Sequence, residues 1–479
     1  MKRWSIFACA MFAFSQSAAA QDDAERWHQL TRGDVEAAYQ QLIEDHPALS
    51  TAINDAELRA RLETGRALAL ERAAQVSSIE GYAATMAGLA NVVGDKHVWS
   101  RLVAPAHSVQ WAGIITARQG ERFVVLEHDN AGEGASLAGA ALVSCDGVMA
   151  DDFAAAKLGG FRAVWSIEAQ RIQSAPFLLV DDGNPFVLRP QTCIFERDGQ
   201  RTEHTLFWRE IARTDLAPHI RRAQNRGAPG HGLRTFDGGM WISLQTLNDD
   251  ALAVVAAARE SQSRLRASPI VVVDMRGNGG GSSSYGDQIA RVLFGDARFN
   301  HVIRGGARCN VVWRVSPRNV AQMRSYEERF RQSNPSFAGE MRRAVQRAEQ
   351  AQAAGREFTG PTECPSRRAA SGAPPAQTAT GRIVLLTDNA CFSSCLLVAD
   401  NFRRLGALHV GQATDAATHY FEVREDPLPS GLSFFSTLQA FSPGSLARLG
   451  PFAPGAAYDG DMADTAALEG WIEEVVAAR

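Results

Sequence analysis

The sequence predicts an α/β protein built on a parallel sheet that is buried on both faces. Three observations point there. Ile270 to Val273 is an unbroken apolar run, which suits a strand covered from both sides rather than one with a wet face. Gly277, Gly279, Gly280 and Gly281 follow it, and then Ile289, Ala290, Val292, Leu293 and Phe294 at roughly helical spacing. Arg382 to Asp388 (RIVLLTD) repeats the plan: an apolar run, a short turn from Asn389 to Cys395, and a helix-like segment from Leu396 to Leu405. Arg403 and Arg404 close that helix and Gly406 follows as a stop, as the helix dipole and the C-cap preference favour.

A loop this rich in glycine can lay bare N–H groups against a ligand, because no Cβ stands in the way. A phosphate loop is excluded, since no Lys follows the glycines. The dinucleotide fingerprint fails too, because Ser282 stands at its last glycine position. What remains is a turn that offers N–H groups to an oxyanion, or a plain tight turn. The second unit places Ser393 at a helix start. There its hydroxyl can cap the helix, or act as a nucleophile beside free backbone N–H groups.

In chain order, residues 1–20 read as a signal peptide. Lys2 and Arg3 precede a short apolar core, and Ala18 to Ala20 supply small residues for cleavage. The core is too short to span a membrane, and no later segment reaches that length. Residues 21–104 read as a helical domain. Val35, Ala38, Tyr39 and Leu42 form one apolar stripe. Leu58, Leu62, Ala69, Ala73 and Val76 form a second, and Tyr82, Met86 and Leu89 a third. Residues 105–215 read as β-rich, with short strands such as Phe123 to Glu127, Ala141 to Ser144 and Thr205 to Trp208. Arg222 to Gly230 is a turn-rich linker, and residues 231–479 form the core. That core opens with a strand, Met240 to Leu247, and a helix, Ala251 to Leu265.

An insertion occupies about 300–377. Its Val320 to Gln352 stretch is charged and helical in pattern, with a break at Asn334-Pro335. Glu363 to Thr378 is loop-like in composition. The insertion reads as a lid or as a solvated surface element. Beyond the leader the cysteines are Cys145, Cys193, Cys309, Cys364, Cys391 and Cys395, an even count that suits disulfides in an exported protein. Closeness along the chain pairs Cys145 with Cys193, Cys309 with Cys364, and Cys391 with Cys395. A net charge of −4 leaves no nucleic-acid footprint, and neither CxxC nor HExxH spacing occurs.

DMRGNGGG after a buried strand, LLTDNACFSSC before a helix, and then His409 to Thr414 resemble the C-terminal-processing (tail-specific) serine peptidase family. The resemblance runs from about Asp34 on. It implies a crotonase/ClpP-like core of stacked β-β-α units, with a PDZ-like module between the helical domain and the core. Gly139 to Gly147 resembles the GDxIxxV[DN]G stretch of such a module, with Ala140 in place of its Asp. The alternative is a plain β-domain packed on the core. Val93-Gly94-Asp95-Lys96-His97-Val98 is similar to the Asp-x-His of the tricorn-core and retinoid-binding-protein branch. In its catalytic members that His is the general base.

The sequence also departs from the family pattern. Ala417 stands where dyad-type members place a Lys, and Leu396 where a Glu usually follows the nucleophile. A Ser–Lys dyad is thereby disfavoured, and His419 is the reserve base. The resemblance thus implies an exported serine peptidase acting on polypeptides, with Ser393 as nucleophile and His97 as base. The N–H groups of Gly280 and Ser394, with Gly279 as the other candidate, would hold the oxyanion. Glu422, Asp459 or Asp461 would orient His97. No cofactor is implied. The competing classes are a non-catalytic peptide- or lipid-binding protein on the same fold, and a scaffold that holds partner tails.

Overall fold

The computed structural model describes residues 7–129, 135–224, 230–303, 311–363, 372–443 and 448–479, with side chains from residue 23 on. Its central sheet has six strands in the order Gly232–Phe236, Gly239–Ser243, Ile270–Asp274, Arg382–Thr387, Leu408–Gly411 and Ala456–Ala457. The first pair is antiparallel and the rest are parallel. Every residue of Ile270–Asp274 is buried. Successive side chains of a strand point to opposite faces, and here both faces are covered. Val271, Val273, Ile383 and Leu385 pack under the helices Ala251–Glu260, Ser283–Phe294 and Ser394–Leu405. Val272, Val384 and Leu386 pack under the C-terminal helix Thr465–Ala477. That is why the run shows no alternation.

The helix expected over Ala251 to Leu265 is interrupted at Ser261, giving Ala251–Glu260 and Gln262–Ala267. Asp274 and Arg276 form a fully buried ion pair, with Trp241 also donating to Asp274 at 3.0 Å. Those two charged residues of the glycine motif thus build the scaffold.

The helices Ala56–Ala73 and Ile79–Asn91 start at Asp55 and Ser78, whose side chains accept from Leu58 and Gly81 N–H. Such caps satisfy N–H groups that the first turn leaves free. These helices and Phe7–Asp45 pack on a second sheet made of Ser100–Leu102, Ser433–Phe441, Val312–Trp313 and Tyr420–Pro427. Strands from the expected helical region and from the expected insertion therefore pair with one core strand, Ser433–Phe441. The insertion forms the helices Pro317–Phe330 and Pro335–Ala353, broken at the expected place, with Asn334 capping the second. Val320, Met323, Met341 and Val345 bury against Trp313 and Ala440. Asp45, itself buried, accepts from Arg424 at 2.6 Å and from Arg318 at 2.7 Å. Arg318 thus ties the insertion to the helix Phe7–Asp45, while most charged residues of its two helices face solvent.

The β-rich region has a sheet ordered Ile114–Gln119, Arg122–His128, Ala141–Cys145, Thr192–Arg197 and Gln200–Thr205. Cys145 and Cys193 face each other across it and are bonded. Cys391 is bonded to Cys395. The pairing of Cys309 with Cys364 lies outside the described residues, as does the start of the leader, residues 1–6. Among the described residues no helix is long and apolar enough to cross a membrane.

Candidate active site

Ser393 sits where the loop after Arg382–Thr387 turns into the helix Ser394–Leu405. Its backbone is held at φ 57° and ψ −127°, a sparsely populated conformation for a residue with a Cβ. The glycine loop makes the room. A Cβ on Gly280 would lie 2.7 Å from Ser393 Cβ and 3.1 Å from its Oγ, so no larger residue fits unchanged. Two contacts tie the loops together. Phe392 N–H donates to Asn278 O at 3.2 Å. The buried Asp388 carboxylate accepts from Gly277 N–H at 2.9 Å and from Ala390 N–H at 3.0 Å. The Cys391–Cys395 bond straddles Ser393.

His97 arrives from the other end of the chain. Its Nε2 is 2.8 Å from Ser393 Oγ across a separation of 296 residues. Its Nδ1 is 2.7 Å from Asp95 Oδ1. Asp95 is only 2% exposed. Its Oδ1 also accepts the His97 N–H at 2.9 Å, and its Oδ2 accepts the Thr418 N–H at 2.6 Å and the hydroxyl at 2.5 Å. Burial by itself would raise this carboxyl. The hydrogen bonds and charge of His97, with the Thr418 hydroxyl, outweigh it and hold Asp95 well below the usual carboxylate range. The second sheet fixes the loop: Ser436 Oγ donates to His97 O at 2.8 Å and accepts from Trp99 N–H at 2.8 Å. The Phe392 ring lies against the imidazole, centroids 4.4 Å apart.

The carboxylate on His97 is therefore Asp95, and the expectation of Glu422, Asp459 or Asp461 is corrected. An aspartate two residues before the histidine folds back onto that residue's own N–H, a local Asx-type turn, and this aims its carboxylate at Nδ1. Glu422 lies on Tyr420–Pro427 at φ 63°, where burial raises its carboxyl to about 7. Asp461 accepts the Ala463 N–H at 2.8 Å ahead of the last helix, and Asp459 is exposed. Ala417, at the missing lysine position, is buried in a bridge with Leu449. The reserve base His419 stacks on Tyr420.

Among the expected oxyanion donors, Ser394 opens its helix, and its hydroxyl donates to Gly281 O at 2.5 Å. The Gly280 N–H donates to Asn278 Oδ1 at 2.9 Å, so an incoming oxygen would have to share it. Gly279 borders open space, with nothing within 4 Å of an added Cβ.

Residues not foreseen are Thr418, Asp388 and a cluster beside the site. In that cluster Lys96 Nζ reaches Asp415 Oδ2 at 2.9 Å and Gln173 Oε1 at 2.7 Å, above the Phe392 ring. Gln170 Nε2 donates to Asp415 Oδ1 at 2.8 Å. Gln173 of the helix Glu168–Ser174 also donates to Asn389 O, and Asp415 N–H donates to Cys391 O at 3.1 Å, which ties this helix to the turn that bears Ser393. Among the described residues no group of His, Cys, Asp and Glu is placed to hold a metal ion.

A serine held against a carboxylate-backed histidine, beside a helix N-terminus, defines the serine hydrolase class. The sequence profile of peptidase family S41 matches residues 241–443. Over these residues the chain is similar to that family, and it is a serine-type peptidase. No curated protein matches the chain. Among solved structures it is similar to mature CPAF complexed with lactacystin, at 13% identity and a TM-score of 0.59, over 94% of this chain and 99% of that one. It is likewise similar to mature CPAF alone, at 12% identity and a TM-score of 0.58, over 94% and 96% of the two chains. These two likenesses concern the fold.

Proposed function

We propose that the chain is an exported peptidase in which Ser393 attacks the scissile carbonyl and His97 is the general base. The observation that carries this reading is the linear relay from Ser393 Oγ to His97 Nε2 at 2.8 Å and from His97 Nδ1 to Asp95 at 2.7 Å. As the Oγ–carbon bond forms, the hydroxyl proton passes to Nε2, and the carbonyl oxygen becomes an oxyanion facing Ser394 N–H and Gly279 or Gly280 N–H. Collapse breaks the C–N bond, and the amine leaves with the proton from Nε2. A water then repeats the sequence on the acyl-enzyme, with His97 again taking its proton. Asp95, ionised throughout, keeps Nδ1–H in place and stabilises the imidazolium.

Residues 231–479 would form a crotonase/ClpP-like core, which the repeated strand–turn–helix units support. Residues 105–215 would form a PDZ-like module, and residues 21–104 a helical domain. Two disulfides and the leader-like residues 1–20 support export. The substrate is polypeptide.

A fluorophosphonate probe tests the assignment. It should label the wild type at Ser393, and Ser393→Ala should remain unlabelled. Equal labelling of both would place the nucleophile elsewhere. Folded wild type that neither labels nor turns over, yet binds peptide or lipid, would favour a binding protein on this fold.

A further inference from the structure

Away from the active site, a cavity of about 200 Å³ lies between the helix Ile79–Asn91 and the β-rich region. Its floor is apolar, made by Leu158, Phe161, Val180 and Leu216 among others. Its charged lining is Lys157, Arg162 and Arg213 against Glu80 and Asp182.

Lys157 is the unusual member. It is 8% exposed. Among the described residues its ammonium has no hydrogen bond and no ion pair. It has only the rings of Phe153 and Trp208, at 5.9 and 5.7 Å. The acids nearby are engaged elsewhere. Asp182 pairs with Arg162 at 3.4 Å. Asp181 takes Gly183 N–H at 2.8 Å and Arg189 at 3.4 Å. Arg213 Nε is held by Ala106 O at 2.9 Å, so its remaining N–H groups are available. Burial lowers the Lys157 ammonium to about 8, which leaves it mostly charged at neutral pH.

A buried, unpaired ammonium is costly to keep unless something meets it. We propose that the cavity binds a small carboxylate with a short apolar tail. The carboxylate would meet Lys157 and the flanking guanidinium groups, and the tail would lie on the apolar floor. The volume is below the range of drug-sized pockets, so the ligand is small. A bare inorganic anion would leave that floor uncovered, and a neutral apolar molecule would leave the ammonium unmet.

The test uses calorimetric titration of the full mature chain with hexanoate, hexanamide and inorganic phosphate. Hexanoate should bind at least about tenfold more tightly than hexanamide, the factor one charge-assisted hydrogen bond supplies. Lys157→Met should lose hexanoate affinity by a similar factor. It should melt no lower than the wild type, because an unpaired buried charge has been removed. Equal affinity for hexanoate and hexanamide would overturn the proposal. So would unchanged hexanoate binding in a folded Lys157→Met, tighter binding of phosphate, or no binding of hexanoate by the wild type. Should Lys157→Met fail to fold, the three-ligand comparison on the wild type decides alone.

Discussion

Replacing Gly280 by alanine tests whether the glycine loop sets the position of the nucleophile. The added Cβ would stand 2.7 Å from Ser393 Cβ, where ordinary contact begins near 3.4 Å. Something must move by about 0.7 Å, and the strained turn at Ser393 is the nearest thing that can. The Oγ–Nε2 distance of 2.8 Å would open to roughly 3.5 Å, where little hydrogen bond remains. A displacement of about 1 Å costs on the order of 10²-fold in rate, so acylation should fall roughly 30- to 100-fold, or about 2 to 3 kcal/mol. Holding alanine at φ +112° should add about 1–3 kcal/mol of instability. Gly279→Ala is the control, since its Cβ would meet nothing within 4 Å and its φ is not positive. It keeps its N–H and should retain activity within about threefold. The assay is the rate of fluorophosphonate labelling and of peptide-ester hydrolysis, with folding checked by circular dichroism. Wild-type acylation by a folded Gly280→Ala would refute the reasoning, as would equal damage from the two substitutions.

Two further outcomes are expected. Asp95→Asn should keep the Thr418 contacts in outline but offer His97 a poorer partner for Nδ1–H. Its kcat should fall about 10³- to 10⁴-fold with KM little changed, and steady-state kinetics on the same ester reads this directly. His46 and His409 are held neutral by burial, each lowered to about 4. The unfolded chain takes up those protons as pH falls below 6.5 while the folded chain does not, so stability drops between pH 6.5 and 4 by up to about 3 kcal/mol per histidine. Urea unfolding of His409→Gln at pH 7 and pH 4.5 should show a smaller loss than wild type, and an equal loss would remove His409 from this account.

Much of the site was legible because its chemistry is local. The buried strands, the glycine turn and the serine at a helix start each declare themselves within about a dozen residues, through burial on both faces and capping preferences. Asp95 was on the page beside His97, yet its orienting role was sought in Glu422, Asp459 and Asp461. What was missing was the turn that folds its side chain back, and Thr418, 323 residues away, which completes its shell. The insertion's charged helical pattern reads as solvated and most of its charges are exposed, but the tie of Arg318 to Asp45 across 273 residues is not visible in that pattern. Pairings at such separations leave no periodic trace in the sequence.

The clamp on the base has a consequence for the order in which the enzyme becomes competent. The nucleophile turn is complete once the chain reaches Leu405. His97 and Asp95, made long before, are gripped by Thr418 and Ser436, which come later still. A chain emerging from its N-terminus would therefore hold every reacting atom before it holds them in register. Catalytic geometry therefore waits on residues made after the nucleophile turn.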